Sequence, residues 1–159
     1  MILIKKKLPL RIGVGIVLLN TENKIFVGKR IDNPKNFWQM PQGGVNQNES
    51  FLRAAKRELE EETSVKSVEL LKELEGWFGY DLPENLIGKV LEGKYRGQKQ
   101  KWFVMKFIGE DSEINVKTQK PEFLEWKWIK ISKLPSTAVG FKVDLYKKLT
   151  KEINLLNLV

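Results

Sequence analysis

The sequence contains no cysteine and no histidine. These absences exclude a thiol nucleophile, a Ser-His-Asp triad, a histidine general base and a zinc site built from His and Cys ligands. Any catalysis must therefore depend on Asp, Glu, Lys, Tyr, backbone groups and cations held by oxygen atoms. Carboxylate and carbonyl oxygens suit Mg²⁺ or Mn²⁺, so a cluster of acidic residues is the feature to look for.

Long hydrophobic runs and targeting signals are missing as well. Residues 1–4 are apolar and precede three lysines at residues 5–7, which reverses the charged-then-apolar order of a signal peptide. The apolar run is also too short to cross a bilayer. The sequence therefore predicts a cytoplasmic protein that has no membrane segment. The lack of cysteine agrees with a reducing compartment, although many secreted proteins also lack disulfides.

The length and charge of the chain narrow its class further. With 159 residues and 42% hydrophobic residues, the chain is predicted to fold as one domain over residues 1–159. Lys and Arg number 28 against 20 Asp and Glu, and the resulting net charge of +8 favours binding to polyanions such as nucleic acid or polyphosphate. Many basic domains bind no polyanion, so charge alone leaves the partner open.

The pattern of apolar residues predicts a mixed α/β domain. Residues 12–19 are apolar and β-rich and are followed by the turn-like residues 20–23 and by Ile25-Phe26-Val27, which predicts a hairpin. After a polar loop at residues 32–36, the Gly- and Pro-containing residues 38–44 cannot form a regular helix. The other predicted elements are a helix at residues 50–62 with Ser50 as N-cap, strands at 68–74, 101–107 and 123–129, and an amphipathic helix at 142–156.

The first predicted helix carries carboxylates on its inward side. At about 100° per residue, Glu58, Glu61 and Glu62 share the arc occupied by Ala54 and Ala55. Neighbouring carboxylates repel one another, and their burial is costly without a counter-charge. A bound divalent cation would offset both costs. Gly43-Gly44 precedes this helix by a short loop, where the absence of a Cβ lets the backbone approach a metal or a phosphate, so Gly43 is a candidate ligand.

The same residues resemble the motif of a known family. Gly43, five residues, Glu49, seven residues and then Arg57-Glu58-Leu59-Glu60-Glu61-Glu62-Thr63-Ser64-Val65 resembles the Nudix box, G-x5-E-x7-R-E-U-x-E-E-x-G-U, in which U is aliphatic. Ser64 replaces the last glycine, which ends the helix in that family. A serine in a left-handed conformation costs about 1 kcal/mol, so the departure affects the end of the helix rather than the metal ligands.

Segments outside the box extend the resemblance over nearly the whole chain. They look like the bacterial branch of RNA pyrophosphohydrolases and dinucleoside polyphosphate hydrolases. The resemblance implies an α/β fold, the Nudix α/β/α sandwich with a mixed sheet between helices. The segments that carry it are residues 38–44, 97–103 and 121–123, Arg11 near the first strand and Phe141-Lys142 before the last helix.

The resemblance also implies a division of labour among the acidic residues. A Mg²⁺ or Mn²⁺ ion would be held by the Gly43 carbonyl and by carboxylates, and Glu61 would be either a ligand or the base that orients water. Arg57 would pair with Glu residues of the box, in particular Glu49, and hold the metal frame in register. The implied carboxylate ligands are Glu58, Glu61, Glu62 and Glu122.

Substrate contacts are expected from basic and aromatic residues outside the box. Phe141 or Tyr80 would stack on a base, as aromatic side chains do in single-stranded RNA recognition, whereas Trp38 and Trp102 are expected in the core or in the cleft wall. The basic residues expected to meet phosphates are Arg11, Arg30, Lys99, Lys101 and Lys142.

Several functions remain open at this point. The preferred one is hydrolysis of the 5′-triphosphate or diphosphate end of RNA to a monophosphate, and the main alternative is a dinucleoside polyphosphate hydrolase that acts on a substrate such as diadenosine tetraphosphate. Met40 within residues 38–44 and a C-terminus without a basic tail keep that alternative open. A housecleaning nucleoside triphosphatase fits the flanking segments less well. A non-catalytic module that binds RNA or nucleotide is disfavoured because all three helix glutamates are present.

Overall fold

The predicted N-terminal hairpin is confirmed. In the computed structural model, which describes residues 7–32 and 35–158, strand β1 (Leu10–Leu19) is followed by the antiparallel strand β2 (Ile25–Arg30). The Asn20 side chain accepts backbone N–H groups of Glu22 and Lys24 at 3.0 and 2.9 Å and so closes the turn. The N-terminal residues 1–6 that were compared with a signal peptide, and residues 33 and 34 of the predicted polar loop, lie outside the described residues.

Within the described residues, eight strands form one mixed sheet. The parallel pair is β1 and β7 (Gly97–Phe107), whose register runs from Leu10 opposite Gly97 to Leu19 opposite Lys106, and the other described pairings are antiparallel. β7 begins four residues before the predicted strand because β1 provides pairing partners for its polar first half. The sequence did not predict strand β6 (Phe78–Asp81). The remaining strands are β3 (Trp38–Gln39), β4 (Gln42–Gly44), β5 (Val68–Glu73) and β8 (Phe123–Ile129).

The two long helices occur where the sequence predicts them. α1 spans Phe51–Thr63, and the side chain of its N-cap, Ser50, accepts the Arg53 backbone N–H at 3.2 Å. The short α2 (Leu134–Thr137) precedes α3 (Val143–Asn154). No helix in the described part of the chain has the length and apolar character needed to cross a lipid bilayer.

Each face of the sheet is covered by one of the long helices. On one face, Ala54, Ala55 and Leu59 of α1 pack in a cluster with residues of β1 that include Val14 and Ile16. The other face carries a second cluster, in which α3 contributes Leu145, Leu149 and Ile153 against side chains from β1, β2 and β7. Alternation of side chains along β1 and β7 supplies both clusters. The expected α/β/α sandwich is therefore confirmed.

Ser64 ends α1 in the conformation that the motif requires of its last glycine. Its φ and ψ are 68° and 6°, in the left-handed region, and its backbone N–H donates to the Glu60 carbonyl at 2.8 Å. The Ser64 hydroxyl also donates to the Asn115 carbonyl at 2.8 Å. This second bond is one that glycine could not make, and it offsets part of the conformational cost.

Candidate active site

Glu62 is the buried carboxylate of α1. The residue is 5% exposed, and its Oε2 atom has no hydrogen-bond partner. Burial raises the pKa of Glu62 well above its ordinary value, and the charges of Glu58 and Glu122 raise it further. The backbone N–H of Gln42 and the charge of Arg30 act in the opposite direction. A cation that reaches this position would stabilise the ionised form of the carboxylate.

Glu58 lies against the backbone of β4. A Cβ at residue 43 would overlap its carboxyl group, so only glycine allows this approach. Burial raises the pKa of Glu58, and the hydrogen bond and charge of Arg57 oppose that rise. The structure therefore brings Gly43 and Glu58 together, as the spacing of the motif implied.

Arg57 joins α1 to the loop before it and to β4. Its Nε and Nη2 donate to the two carboxylate oxygens of Glu49 at 2.8 and 3.0 Å, Nη1 donates to Glu58 at 2.8 Å, and Nη2 also donates to the Gly44 carbonyl at 2.9 Å. The bonds from Arg57 lower the pKa of Glu49 to about 2, and the Asn46 N–H contributes. The two parallel bonds to Glu49 fix the guanidinium group, which in turn holds Glu58 beside Gly43 and Gly44 of β4.

Glu61 does not follow the inward orientation predicted for it. Its side chain is 58% exposed, and its Oε2 accepts from Arg57 Nη1 at 3.2 Å. The reason is that its position falls at the edge of the inward arc of α1, where the helix borders open space rather than the sheet. Glu61 nevertheless lines the same cleft as Glu58 and Glu62.

A cleft of about 1110 Å³ contains these carboxylates. Glu122, at the start of β8, reaches it from a distant part of the sequence, and its carboxylate lies 3.6 Å from Arg30. Arg30 is held mainly by Asp32, whose oxygens accept at 2.7 and 2.6 Å. Arg11 also lines the cleft. The cleft thus combines carboxylates with guanidinium groups, and together these can bind a metal ion and phosphate oxygens.

The donor atoms of the cleft suit a hard divalent cation. They are all oxygens, one buried carboxylate oxygen has no partner, and a glycine stands where a side chain would block Glu58. Within residues 7–32 and 35–158, no three acidic side chains are arranged so that they could hold an ion by themselves. Mg²⁺ usually keeps several waters and takes few protein ligands, so this donor set fits it.

A second pocket of about 510 Å³ adjoins the cleft. Tyr80 and Phe141 lie in its wall with ring centroids 5.4 Å apart, and Trp38 also contributes to it. Its aromatic lining suits a nucleobase. The two cavities have three lining residues in common, which are Arg30, Gln42 and Leu91.

Lys142, which was expected to meet phosphate, is a largely buried residue in the lining of this second pocket. It is 5% exposed, its Nζ donates to Gln39 Oε1 at 3.0 Å, and Nζ lies 5.3 Å from the centroid of the Tyr80 ring. Burial, assisted by the charge of Arg30, lowers its pKa to about 7. Helical periodicity could not reveal this burial, because Lys142 precedes α3 and is enclosed by groups distant in sequence.

Lys99 and Lys101, also expected at the phosphates, line neither cavity. Successive side chains of β7 alternate between the two faces of the sheet. Gln98 and Gln100 therefore point to the pocket side, where they donate to the Tyr80 hydroxyl at 2.6 Å and to the Gln42 side chain at 3.1 Å. The lysines point to the opposite face.

Sequence reasoning missed the amide side chains that support the pocket. Gln39, Gln98 and Gln100 are all buried, and Gln39 Nε2 and Gln98 Oε1 lack hydrogen-bond partners. The signal that was available is the alternation Gln-Lys-Gln-Lys at residues 98–101, which has the period of a strand. Trp102 and Trp38 are buried, as expected.

Known proteins are similar to this chain over most of its length. Residues 9–149 match the NUDIX domain family. An RNA pyrophosphohydrolase of Pelagibacter ubique is 59% identical over 149 residues, covering 94% of each chain. Another, of Bartonella bacilliformis, is 48% identical over 158 residues, covering 92% of this chain and 93% of its own. The E. coli dihydroneopterin triphosphate pyrophosphohydrolase has a similar fold, with a TM-score of 0.66 over 92% of this chain and 99% of that one at 18% identity.

Proposed function

This chain belongs to the NUDIX domain family, and from that membership we propose that it is an RNA 5′ pyrophosphohydrolase. The reaction converts a 5′-triphosphate or diphosphate end to a 5′-monophosphate. Relatives that are 59% and 48% identical are named RNA pyrophosphohydrolases. The cytoplasm, where RNA is available, is the expected compartment.

The observation that carries the proposal is the junction of the acidic cleft with the aromatic pocket. Arg30, Gln42 and Leu91 border both cavities, so one ligand can occupy both. The 5′ end of RNA has the two matching parts, a polyphosphate and nucleobases a short distance away. Phosphates in the cleft would meet Arg11 and Arg30, and a base in the pocket would contact Phe141 and Tyr80.

The acidic residues divide the chemistry among them. The Gly43 carbonyl and one or two of the carboxylates of Glu58, Glu62 and Glu122, completed by water, would hold Mg²⁺ or Mn²⁺, and such an ion when bound neutralises phosphate charge and activates water. Glu61, which is 58% exposed and lines the cleft, would accept a proton from the attacking water or serve as a further ligand. Arg57 and Glu49 are positioning residues because they hold Glu58 through the hydrogen bonds described above.

A side-by-side comparison of two substrates tests the proposal. Purified protein with Mg²⁺ is given 5′-triphosphorylated RNA or diadenosine tetraphosphate, and the products are identified. We expect a higher kcat/KM for the RNA and a 5′-monophosphate product. Faster cleavage of the dinucleotide would instead make the protein a dinucleoside polyphosphate hydrolase, because its nucleoside could occupy the same pocket.

The Glu58→Gln variant provides the control for catalysis. We expect turnover of either substrate to fall by about 10³-fold or more, because a neutral amide replaces a charged oxygen ligand while the hydrogen bond from Arg57 can persist. The circular dichroism spectrum should remain that of the wild type. Near-normal activity in this variant would remove Glu58 from the site, and no activity in the wild type on either substrate would support a non-catalytic module.

A further inference from the structure

An exposed tryptophan outside both cavities is surrounded by cations. Trp77, just before β6, is 45% exposed. Lys99 Nζ and Lys101 Nζ lie 4.6 and 4.7 Å from the centroid of its ring, and the Phe51 ring meets it edge-on at 5.7 Å. We call these four residues the Trp77 platform.

The charges of the platform are available to an anion. Lys101 Nζ donates to the Gly76 carbonyl at 3.1 Å, and within the described parts of the chain neither Lys99 nor Lys101 forms an ion pair with an acidic side chain. The indole is about half exposed and two ammonium groups on flexible side chains lie over its ring, so an aromatic face on which a base can stack, once these side chains turn outward, occurs together with positive charge. Single-stranded nucleic acid is bound by this combination, since every base has a stacking face and every linkage a phosphate.

The platform lies within a short distance of the site along two elements. Trp77 lies one residue before β6 and three residues before the pocket residue Tyr80, which is about 10 Å of extended chain. On α1, Phe51 precedes Glu58 by seven residues, or two helical turns, which is also about 10 Å and returns to the same side of the helix. Because Lys99 and Lys101 point to the face of the sheet opposite the pocket, the platform lies on the other face of the β6–β7 pair, around the edge formed by β6.

We propose that the Trp77 platform binds the single-stranded RNA chain that continues 3′ of the nucleotides held in the two cavities. A base stacks on Trp77, and Lys99 and Lys101 contact the flanking phosphates. The inference rests on the proposed function and deepens it, because it gives the enzyme a reason to favour RNA over a dinucleotide. A dinucleoside polyphosphate that fills the cleft and the pocket has no further nucleotides to reach the platform.

Binding measurements test the platform independently of catalysis. The probe is a fluorescent single-stranded RNA of about 12 nucleotides with a 5′-hydroxyl end, followed by anisotropy; we expect Trp77→Ala to raise its Kd about tenfold. The double variant Lys99→Ala/Lys101→Ala should lower the slope of log K against log salt by about 1.4, the value for two phosphate contacts on a single strand. The control Lys147→Ala/Lys148→Ala removes equal charge from exposed positions of α3 and should change neither quantity.

Kinetics then connect the platform to the reaction. With 5′-triphosphorylated RNA of about 12 nucleotides, Trp77→Ala should lower kcat/KM about tenfold through a higher KM. With a triphosphorylated dinucleotide as substrate, the same variant should change kcat/KM by less than about twofold. Equal losses at both lengths, or unchanged RNA binding in folded variants, would overturn the proposal; a surface that binds protein instead would leave RNA binding unchanged. If the wild type cleaves neither RNA, the proposed function fails, and the anisotropy result still decides whether the platform binds RNA.

Discussion

At the scale of single residues, the site depends on one missing side chain. Gly43 leaves the space that the carboxyl group of Glu58 occupies. Arg57 holds that carboxyl group from the other side through a bond of 2.8 Å. Because Glu58 is confined between a backbone and a guanidinium, a small change at residue 43 must move its oxygens.

We therefore predict that Gly43→Ala lowers kcat/KM by about 100-fold, since a shift of about 1 Å in a positioned group costs this much. Gly140→Ala is the matched control, because nothing lies within 4 Å of a Cβ added at Gly140. Steady-state rates of the two variants on the same RNA decide the matter. Equal activity of both variants would show that the contact between Gly43 and Glu58 has no part in catalysis.

At the scale of elements, the position of the α1 carboxylates depends on the contacts at the C-terminal end of the helix as well as on the face that packs against the sheet. Ser64 takes the left-handed conformation at the end of the helix, and its hydroxyl donates to the Asn115 carbonyl. Thr63 in turn accepts the Asn115 backbone N–H at 2.9 Å through its carbonyl. The last turn of α1, which contains Glu62, is thus fastened to the segment that precedes β8.

Two substitutions at this helix end should have different effects on the free energy of unfolding. Ser64→Ala keeps the left-handed strain and loses the hydroxyl bond, so it should lower this free energy by about 1 kcal/mol. Ser64→Gly loses the hydroxyl bond but also relieves the left-handed strain, so its free energy of unfolding should be within about 0.5 kcal/mol of the wild-type value. Urea unfolding followed by circular dichroism measures both. A glycine variant that is less stable than the alanine variant would contradict this account of the helix end.

At the scale of the whole molecule, cation binding and folding stability should be linked through Glu62. The folded protein encloses its carboxylate, whereas the unfolded chain exposes it to water. A ligand that binds only the folded state stabilises it, by about 2.7 kcal/mol at one hundred times its Kd. The acidic cleft should therefore make thermal stability depend on Mg²⁺.

We predict that Glu62→Gln raises Tm at pH 8 in the absence of divalent ions and removes most of the increase in Tm that Mg²⁺ gives the wild type. Burial raises the pKa of Glu62, so its ionised form weakens the fold above that pKa. The penalty disappears as pH falls through the raised pKa towards the ordinary value. The Tm advantage of the variant without Mg²⁺ should consequently shrink from pH 8 to pH 5. Thermal unfolding with and without Mg²⁺ is the measurement, and an equal Mg²⁺ effect in both proteins would remove Glu62 from the metal site.

Local sequence patterns determined much of the secondary structure of this protein and one ion pair of its site. The hairpin of β1 and β2, the bounds of α1 and α3, the Ser50 N-cap and the pairing of Arg57 with Glu49 follow from periodicity, capping chemistry and a motif of fixed spacing. All of these are interactions between residues close in sequence, so the residues themselves contain the information.

The tertiary structure alone decided which groups meet across the sheet. Lys142 is buried against Gln39, which is 103 residues earlier, and Glu122 joins the cleft of Glu62 from the start of β8. The direction of Lys99 depended on how β7 pairs with β1 and β6. Strand order and register set these contacts, and both result from packing the whole chain, whereas a sequence pattern reports only the face of its own element.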